Sequence, residues 1–288
     1  MRRLFVGIAI LAMFSLSCGG GGGSSVAPSE VTLKFQALDG LELHYKANTN
    51  IDTNIEGQTR TWMSETKARV KVVDTEADGS VVRSLTYDDF TMGEISGTGT
   101  LAPNPRAEDF VGENLQLTLN AEGKIVDWKG LDGISMMTDE GNSYRDFLVQ
   151  QMAEVFQPFP DHAVSVGSKW QRTVETMIPV GGGDLSNRIQ IDYELNGFGR
   201  KSGRECARIK MKYVVSGSAT GRRAGRFWIT TTGDGTGEMW FDYNEGVLVE
   251  YDKKVTITRD YKYERAGEED VATQTTSIAR EFKMKLES

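Results

Sequence analysis

Two cysteines, two histidines and six prolines are all that 288 residues contain of those types. Each shortage closes off some chemistry. With only His44 and His162, the chain has no HExxH zinc motif, and the nucleophile elbow GxSxG is absent as well. Positive charge is also in deficit: 33 Lys and Arg stand against 41 Asp and Glu, a formal net charge of −8. That balance argues against general nucleic-acid affinity. Long apolar runs are missing too, apart from Leu4 to Phe14, which is too short to span a bilayer.

That one run follows Arg2 and Arg3 and leads into Ser15-Leu16-Ser17-Cys18, an arrangement that resembles a bacterial lipoprotein processing site. On this reading residues 1–17 are a signal peptide, and Cys18 becomes an acylated N-terminus followed by a Gly/Ser tether to residue 29. Several acyl chains make a stable anchor, since each buried methylene contributes roughly 0.8 kcal/mol. Gly19 is not the Asp that resembles an inner-membrane retention signal. The expected location is therefore the cell envelope, at the outer membrane, facing the periplasm or the cell surface. Cleavage leaves 271 residues (288 minus 17) with a charge of −10 once Arg2 and Arg3 are removed. With Cys18 lipidated, Cys206 has no intrachain partner, which excludes a disulfide scaffold and a cysteine zinc site.

The body reads as strand after strand. Leu33, Phe35, Ala37 and then Leu41, Leu43, Tyr45 and Ala47 alternate with polar residues around Asp39-Gly40, predicting a hairpin. Around Asp88-Asp89 the alternation slips, because Tyr87 and Phe90 share a face only if a bulge intervenes. Leu101 to Glu113 reads as loop. The exception to the period of two is 142–170, where Tyr144, Phe147, Leu148, Met152, Val155 and Phe156 recur at spacings of three and four. Asn142 or Ser143 can cap this helix and Pro158 stops it. It separates a first β half, 30–141, from a second, 171–288. Shifting the chain by 123 residues lays the Glu122-Gly123 turn over Glu245-Gly246, so the halves resemble each other and a duplication is one explanation. The expected fold is mainly β: long antiparallel strands in a strongly curved sheet or open barrel, with one central covering helix.

Motifs for chemistry are weak. Asp74-Thr75-Glu76-Ala77-Asp78-Gly79 opens like a calcium loop, but Leu85 stands where a bidentate Glu is needed. Ser64-Glu65-Thr66-Lys67 has a Ser-x-x-Lys spacing, yet a strand points Ser64 and Lys67 to opposite faces. Gly181-Gly182-Gly183 lacks the Lys and Ser/Thr of a phosphate loop. From Gly199 to Arg226 nine basic residues face only Glu205, a local +8. Its alternating members Arg208, Lys210 and Lys212 are candidates for contact with anionic headgroups. No cofactor, metal ligand set or catalytic residue is expected.

The segments VTLKFQALDGLELHYKAN, FPDHAVSVGSKWQRT and GEMWFDYNEGVLVEY look like those of a family of bacterial secreted lipoproteins with a β-rich domain of unknown function. In that family a Pro…Val-Gly-x-x-Trp segment sits mid-chain. At fold level the chain also resembles lipoprotein carriers of the LolA/LolB type, where a curved half-barrel closed by helices holds acyl chains. These resemblances imply an all-β secreted body and bring no activity with them.

Two classes of function follow. One is a non-catalytic binding module in which the curved sheet holds a lipid or other hydrophobic ligand, with Phe147, Met152 and Phe156 lidding a cavity. The other is a structural lipoprotein whose core those same residues fill and whose surface docks an envelope protein. An uncharacterised hydrolase ranks third. Replacement of Cys18 by Ala is expected to abolish incorporation of labelled palmitate in cells; retained label would remove the anchor.

Overall fold

The computed structural model describes residues 28–35, 40–77, 80–96, 99–120, 124–134, 144–156, 159–180, 183–222, 225–265 and 271–287. Cys18 with its leader, Asn142, Ser143 and Pro158 lie outside the described residues, as does the side chain of Phe147.

Twelve strands make one antiparallel sheet. They are β1 (Glu42–Ile55), β2 (Gln58–Thr75), β3 (Val81–Ile95), β4 (Leu101–Pro103), β5 (Asn114–Leu119) and β6 (Ile125–Gly130), then β7 (Lys169–Val180), β8 (Gly183–Lys201), β9 (Arg204–Arg222), β10 (Gly225–Asp242), β11 (Val247–Arg265) and β12 (Val271–Leu286). The order is β6-β5-β3-β2-β1-β12-β11-β10-β9-β8-β7, with short β4 beside β3. It is a meander in which the first strand pairs with the last, as in an up-and-down barrel, while β6 and β7 end the path and, among the described residues, do not pair with each other. The one long helix, α1 (Tyr144–Val155), lies in the connection between those two strands. The expected fold class is therefore observed.

Alternation explains the strands. On β9, Ala207, Ile209, Met211, Tyr213 and Val215 are buried on the inner face, while Lys210, Lys212, Val214 and Ser216 are exposed outside. The phase slip also has its bulge: Lys67 pairs with Asp89 but Ala68 pairs with Tyr87, so Tyr87 and Phe90 both point inward.

Two expectations need correction. Val31 to Phe35 is not the first arm of a hairpin with β1. Val31 makes an isolated bridge to Val164, and Phe35 leaves the sheet to stack on Phe159 at 5.2 Å and meet Phe241 edge-on at 5.1 Å. Both flanks of β1 are already taken by β2 and β12, so the preceding segment turns into the core instead. Nor is Leu101–Glu113 wholly loop. It contains β4 and a 3-10 turn, Pro105–Phe110, whose Arg106 amide donates to the side chain of Asn104. Phe110 is fully buried there and stacks on Phe90 at 4.5 Å.

The curl of the sheet has a local cause. Gly233, Gly235 and Gly237 occupy three successive inward positions of β10. A Cβ on Gly235 would stand 2.3 Å from the Lys254 carbonyl oxygen and 2.6 Å from Val255 Cγ2. On Gly233 and Gly237 it would stand 2.5 and 2.6 Å from the carbonyl oxygens of Thr256 and Asp252. β11 folds over β10 along this bare strip, which only glycine permits. Gly235→Val is expected to destabilise the fold by about 1–3 kcal/mol, read as a lowered urea midpoint. Alanine at the adjacent exposed Asp234 should change it by less than about 0.5 kcal/mol; equal effects at the two positions would show that the strip is not what bends the sheet.

Candidate functional site

Residues paired across neighbouring strands form rows perpendicular to them, and α1 lies along one such row. Its members are Ser64 on β2, Thr49 on β1, Phe282 on β12, Lys253 on β11, Gly237 on β10, Met211 on β9 and Tyr193 on β8. Three polar contacts of the helix fall on it. Tyr144 hydrogen-bonds Ser64 through its hydroxyl, Gln151 Nε2 donates to Thr49 Oγ1 at 3.4 Å, and Glu154 Oε2 accepts from Lys253 Nζ. The dimensions agree: Tyr144 to Glu154 rises ~15 Å along a helix, and β2 to β11 is three steps of ~4.8 Å.

Glu154 and Lys253 are each 4% exposed at the side chain. Around them stand Tyr193, Tyr213 and Tyr251. The ammonium of Lys253 lies 5.8 Å from the Tyr213 ring centre, and the hydroxyls of Tyr213 and Tyr251 share a hydrogen bond of 2.7 Å. Burial raises the pKa of both tyrosines well above the usual phenol value, so they stay neutral. Burial likewise pushes Tyr144 up to about 12, against the pull of Ser64 and Arg280. This cluster fastens the helix. Its charges and hydrogen bonds are turned toward each other.

Met152 and Phe156 both belong to the main core, and Phe156 meets Phe35 edge-on at 5.4 Å. The guanidinium of buried Arg83 covers those two rings at 5.6 and 5.8 Å. Arg208, Lys210 and Lys212 line the outer face of β9. Arg208 is tied to Glu238 at 2.6 Å, and Lys210 and Lys212 are exposed. Their paired neighbours on β8 are Glu194 and Asp192, so the basic stripe is interleaved with acids. Ser64 faces inward to Tyr144 while Lys67 faces out, as strand geometry requires. Cys206 is buried, and that burial pushes its thiol up to about 11. Both histidines are exposed beside carboxylates, His44 by Glu42 and His162 by Asp161. Among the described residues no group of three His, Cys, Asp or Glu gathers as a metal site, and no helix is long and apolar enough to cross a membrane.

A second row escaped sequence reasoning. Three inward positions farther along, ~20 Å from the helix, Asn187, Gly217, Thr231, Arg259 and Thr276 pair in succession across β8 to β12. All four side chains are buried, Asn187 at 5% and Thr231 at 2% exposure. Asn187 Oδ1 and Thr231 Oγ1 have no hydrogen-bond partner. Leaving such a group dry and unpaired costs about 1–3 kcal/mol. The row separates the main core, reached at Ile189, Val215, Ile257 and Ile278, from a small cluster of Leu185, Ala219 and Ile229. Its one sequence signal is Asn187 interrupting the apolar series Leu185, Ile189 and Ile191.

No family model and no curated protein matches the chain. Among solved structures, it is similar to a crystal structure of a DUF1329 family protein from Desulfovibrio piger, at 11% identity over 86% of this chain and 87% of that one, with a TM-score of 0.17. A likeness that slight has no bearing on function.

The fastening role of the ion pair is open to measurement. Glu154→Gln or Lys253→Met alone should cost about 3–5 kcal/mol of unfolding free energy, because each strands a buried partner, whereas Glu154→Leu with Lys253→Met should recover most of it. Losses under about 1 kcal/mol in both single variants would mean that the pair does not hold the helix.

Proposed function

We propose that this chain is a lipid-anchored protein of the cell envelope, tethered through acylated Cys18 and held at the outer membrane, which binds a hydrophobic ligand without catalysis. The supporting observation is the mismatch between helix and sheet. α1 occupies a single row, whereas β8 to β12 run on past it for several inward positions whose side chains stay buried, among them Ile189, Val215, Ile257 and Ile278. In this reading the ligand enters along that far stretch of the inner face, between side chains that close on one another in its absence. That stretch is not the ground beneath Met152 and Phe156, which they fill themselves. The tether positions the sheet near the bilayer, and the exposed ammonium groups of Lys210 and Lys212 on the outer face are available to anionic headgroups.

The packed end favours a second reading, in which the domain is a scaffold that docks an envelope partner. The aromatic cluster of Phe35, Phe156, Phe159 and Phe241, together with the buried ion pair, is what a solid core needs. The two readings part on extracted lipid. A secreted form spanning residues 24–288, which retains every strand and α1, is expected to carry co-purifying acyl lipid detectable by mass spectrometry after solvent extraction. A form that is folded by circular dichroism, carries no lipid and takes up none from vesicles would leave the scaffold.

A further inference from the structure

In the cleft on the outer face of the sheet we propose a binding site for a phosphorylated sugar, whether free or as the headgroup of a glycolipid. It lies on the opposite side of the sheet from the hydrophobic ligand proposed above and does not depend on that reading.

The cleft has a volume of about 780 Å³, within the ~300–1,000 Å³ of small-molecule sites. Its floor is the outer face of β1, β12 and β11, and its wall is the β8–β9 turn at Ser202. That wall is fastened in place. Lys201 reaches across to Glu250 at 2.7 Å, Arg204 holds buried Asp242 at 2.9 Å, and Gly199 lies against the Trp240 ring. Ser202 and Gly203 join the two strands with φ of 49° and 78°, the geometry of a type I′ turn. Asn, Asp and Gly dominate such positions. Serine here brings a hydroxyl to the border of the cleft.

Charge on the floor is sorted by strand. Lys46 on β1 pairs directly with Lys285 on β12, and Asn48 with Lys283. On the other flank of β12, Lys285 and Lys283 pair with Glu250 and Asp252 of β11. The β1 side is therefore cationic and the β11 side acidic, with Glu287, just past β12, the one acid among the lysines. Lysines directly opposite each other destabilise a sheet, and Lys46 meets a second one, Lys67, on β2. The carboxylates are partly engaged: Glu250 by Lys201, Asp252 by Lys283 at 3.6 Å, and Glu65 by Lys46 at 2.6 Å. Lys285 is exposed, and among the described residues no carboxylate lies within ion-pair reach of it. Three ammonium groups and three carboxylates line the cleft, so a bare anion gains little from it. A ligand with its anion at one end and hydroxyls at the other gains more. Phosphoryl oxygens accept from Lys46 and Lys285, sugar hydroxyls donate to Glu250 and Asp252, and Asn48 and Ser202 serve either. The apolar residues at the border, Tyr251, Met284 and Leu286, have their side chains buried in the core, so an apolar ligand has nothing to pack against.

The test counts bound species by native mass spectrometry. Full-length protein in detergent is offered N-acetylglucosamine 1-phosphate, N-acetylglucosamine, inorganic phosphate and, in the same detergent, lipid A, each alone at equal concentration. The sugar phosphate, lipid A or both should bind about tenfold more tightly than the neutral sugar or the bare phosphate, the size of one charge-assisted hydrogen bond. Lys285→Gln should remove that tenfold. Lys262→Gln, at an exposed outer position of β11 far from the cleft, should leave it unchanged. Lys285 is exposed as well, so neither substitution threatens the fold. Uptake of the free sugar phosphate identifies a soluble ligand, and uptake of lipid A alone identifies a headgroup; either supports the site when Lys285→Gln weakens it. Binding of neither, phosphate bound as tightly as the sugar phosphate, or binding that Lys285→Gln leaves intact overturns the site. None of these outcomes bears on a hydrophobic ligand at the inner face, which the extraction experiment tests separately.

Discussion

Backbone crowding between β10 and β11 is the constraint from which the rest of the architecture follows. Where three inward residues are glycine, the neighbouring carbonyl oxygens close to distances that no Cβ tolerates. The sheet bends there, and the helix spans β2, β1, β12 and β11 on one side of that seam while β10, β9 and β8 curl away on the other. A flat sheet of this width would expose most of its inner face, and Tyr213, Tyr251 and Phe282 would lose the enclosure that buries them. The cost of the bend is a strand with little side-chain surface of its own, offset by bulky neighbours: Met211 and Tyr213 from β9 lean across Gly237.

Within that enclosure the helix acts as a crossbar whose position is specified by polar contacts and whose stability comes from apolar ones. Leu148, Met152, Val155 and Phe156 supply buried area. Area alone is indifferent to a shift of one row. Glu154 is not, because a displaced carboxylate would lose Lys253 and remain buried without it. A buried ion pair adds little net stability over a hydrophobic pair of similar size, yet penalises every wrong register heavily. The hydrogen bonds of Tyr144 and Gln151 to the same row act alike on a smaller scale.

How much of this could be read from the residues divides along range of interaction. Strands, the bulge at Asp88 and the helix are local patterns, and period two or 3.6 exposes them directly. The glycine strip went unread although its signal is local: Gly233, Gly235 and Gly237 alternate with Asp234 and Thr236, and alternating glycines in a strand mark one bare face. Phe35 misled because an alternating segment reads as a strand whether or not a free edge exists to receive it, and that depends on β12, at the far end of the chain. Glu154 and Lys253 look like ordinary surface charges, 99 residues apart. The polar row is harder still. Asn187, Gly217, Thr231 and Arg259 have nothing in common until four strand registers are known together.

The pairing of β1 with β12 has a consequence for how the molecule comes into being. Tyr45 donates its hydroxyl to the carbonyl of Leu248, 203 residues later, and the Glu287 amide reaches His44. Without β12, β1 and β11 each lack one partner, so the two meanders are not joined into one sheet until that strand is in place. Contacts of such long range make for slow assembly. The closing pairing of the sheet therefore waits for β12.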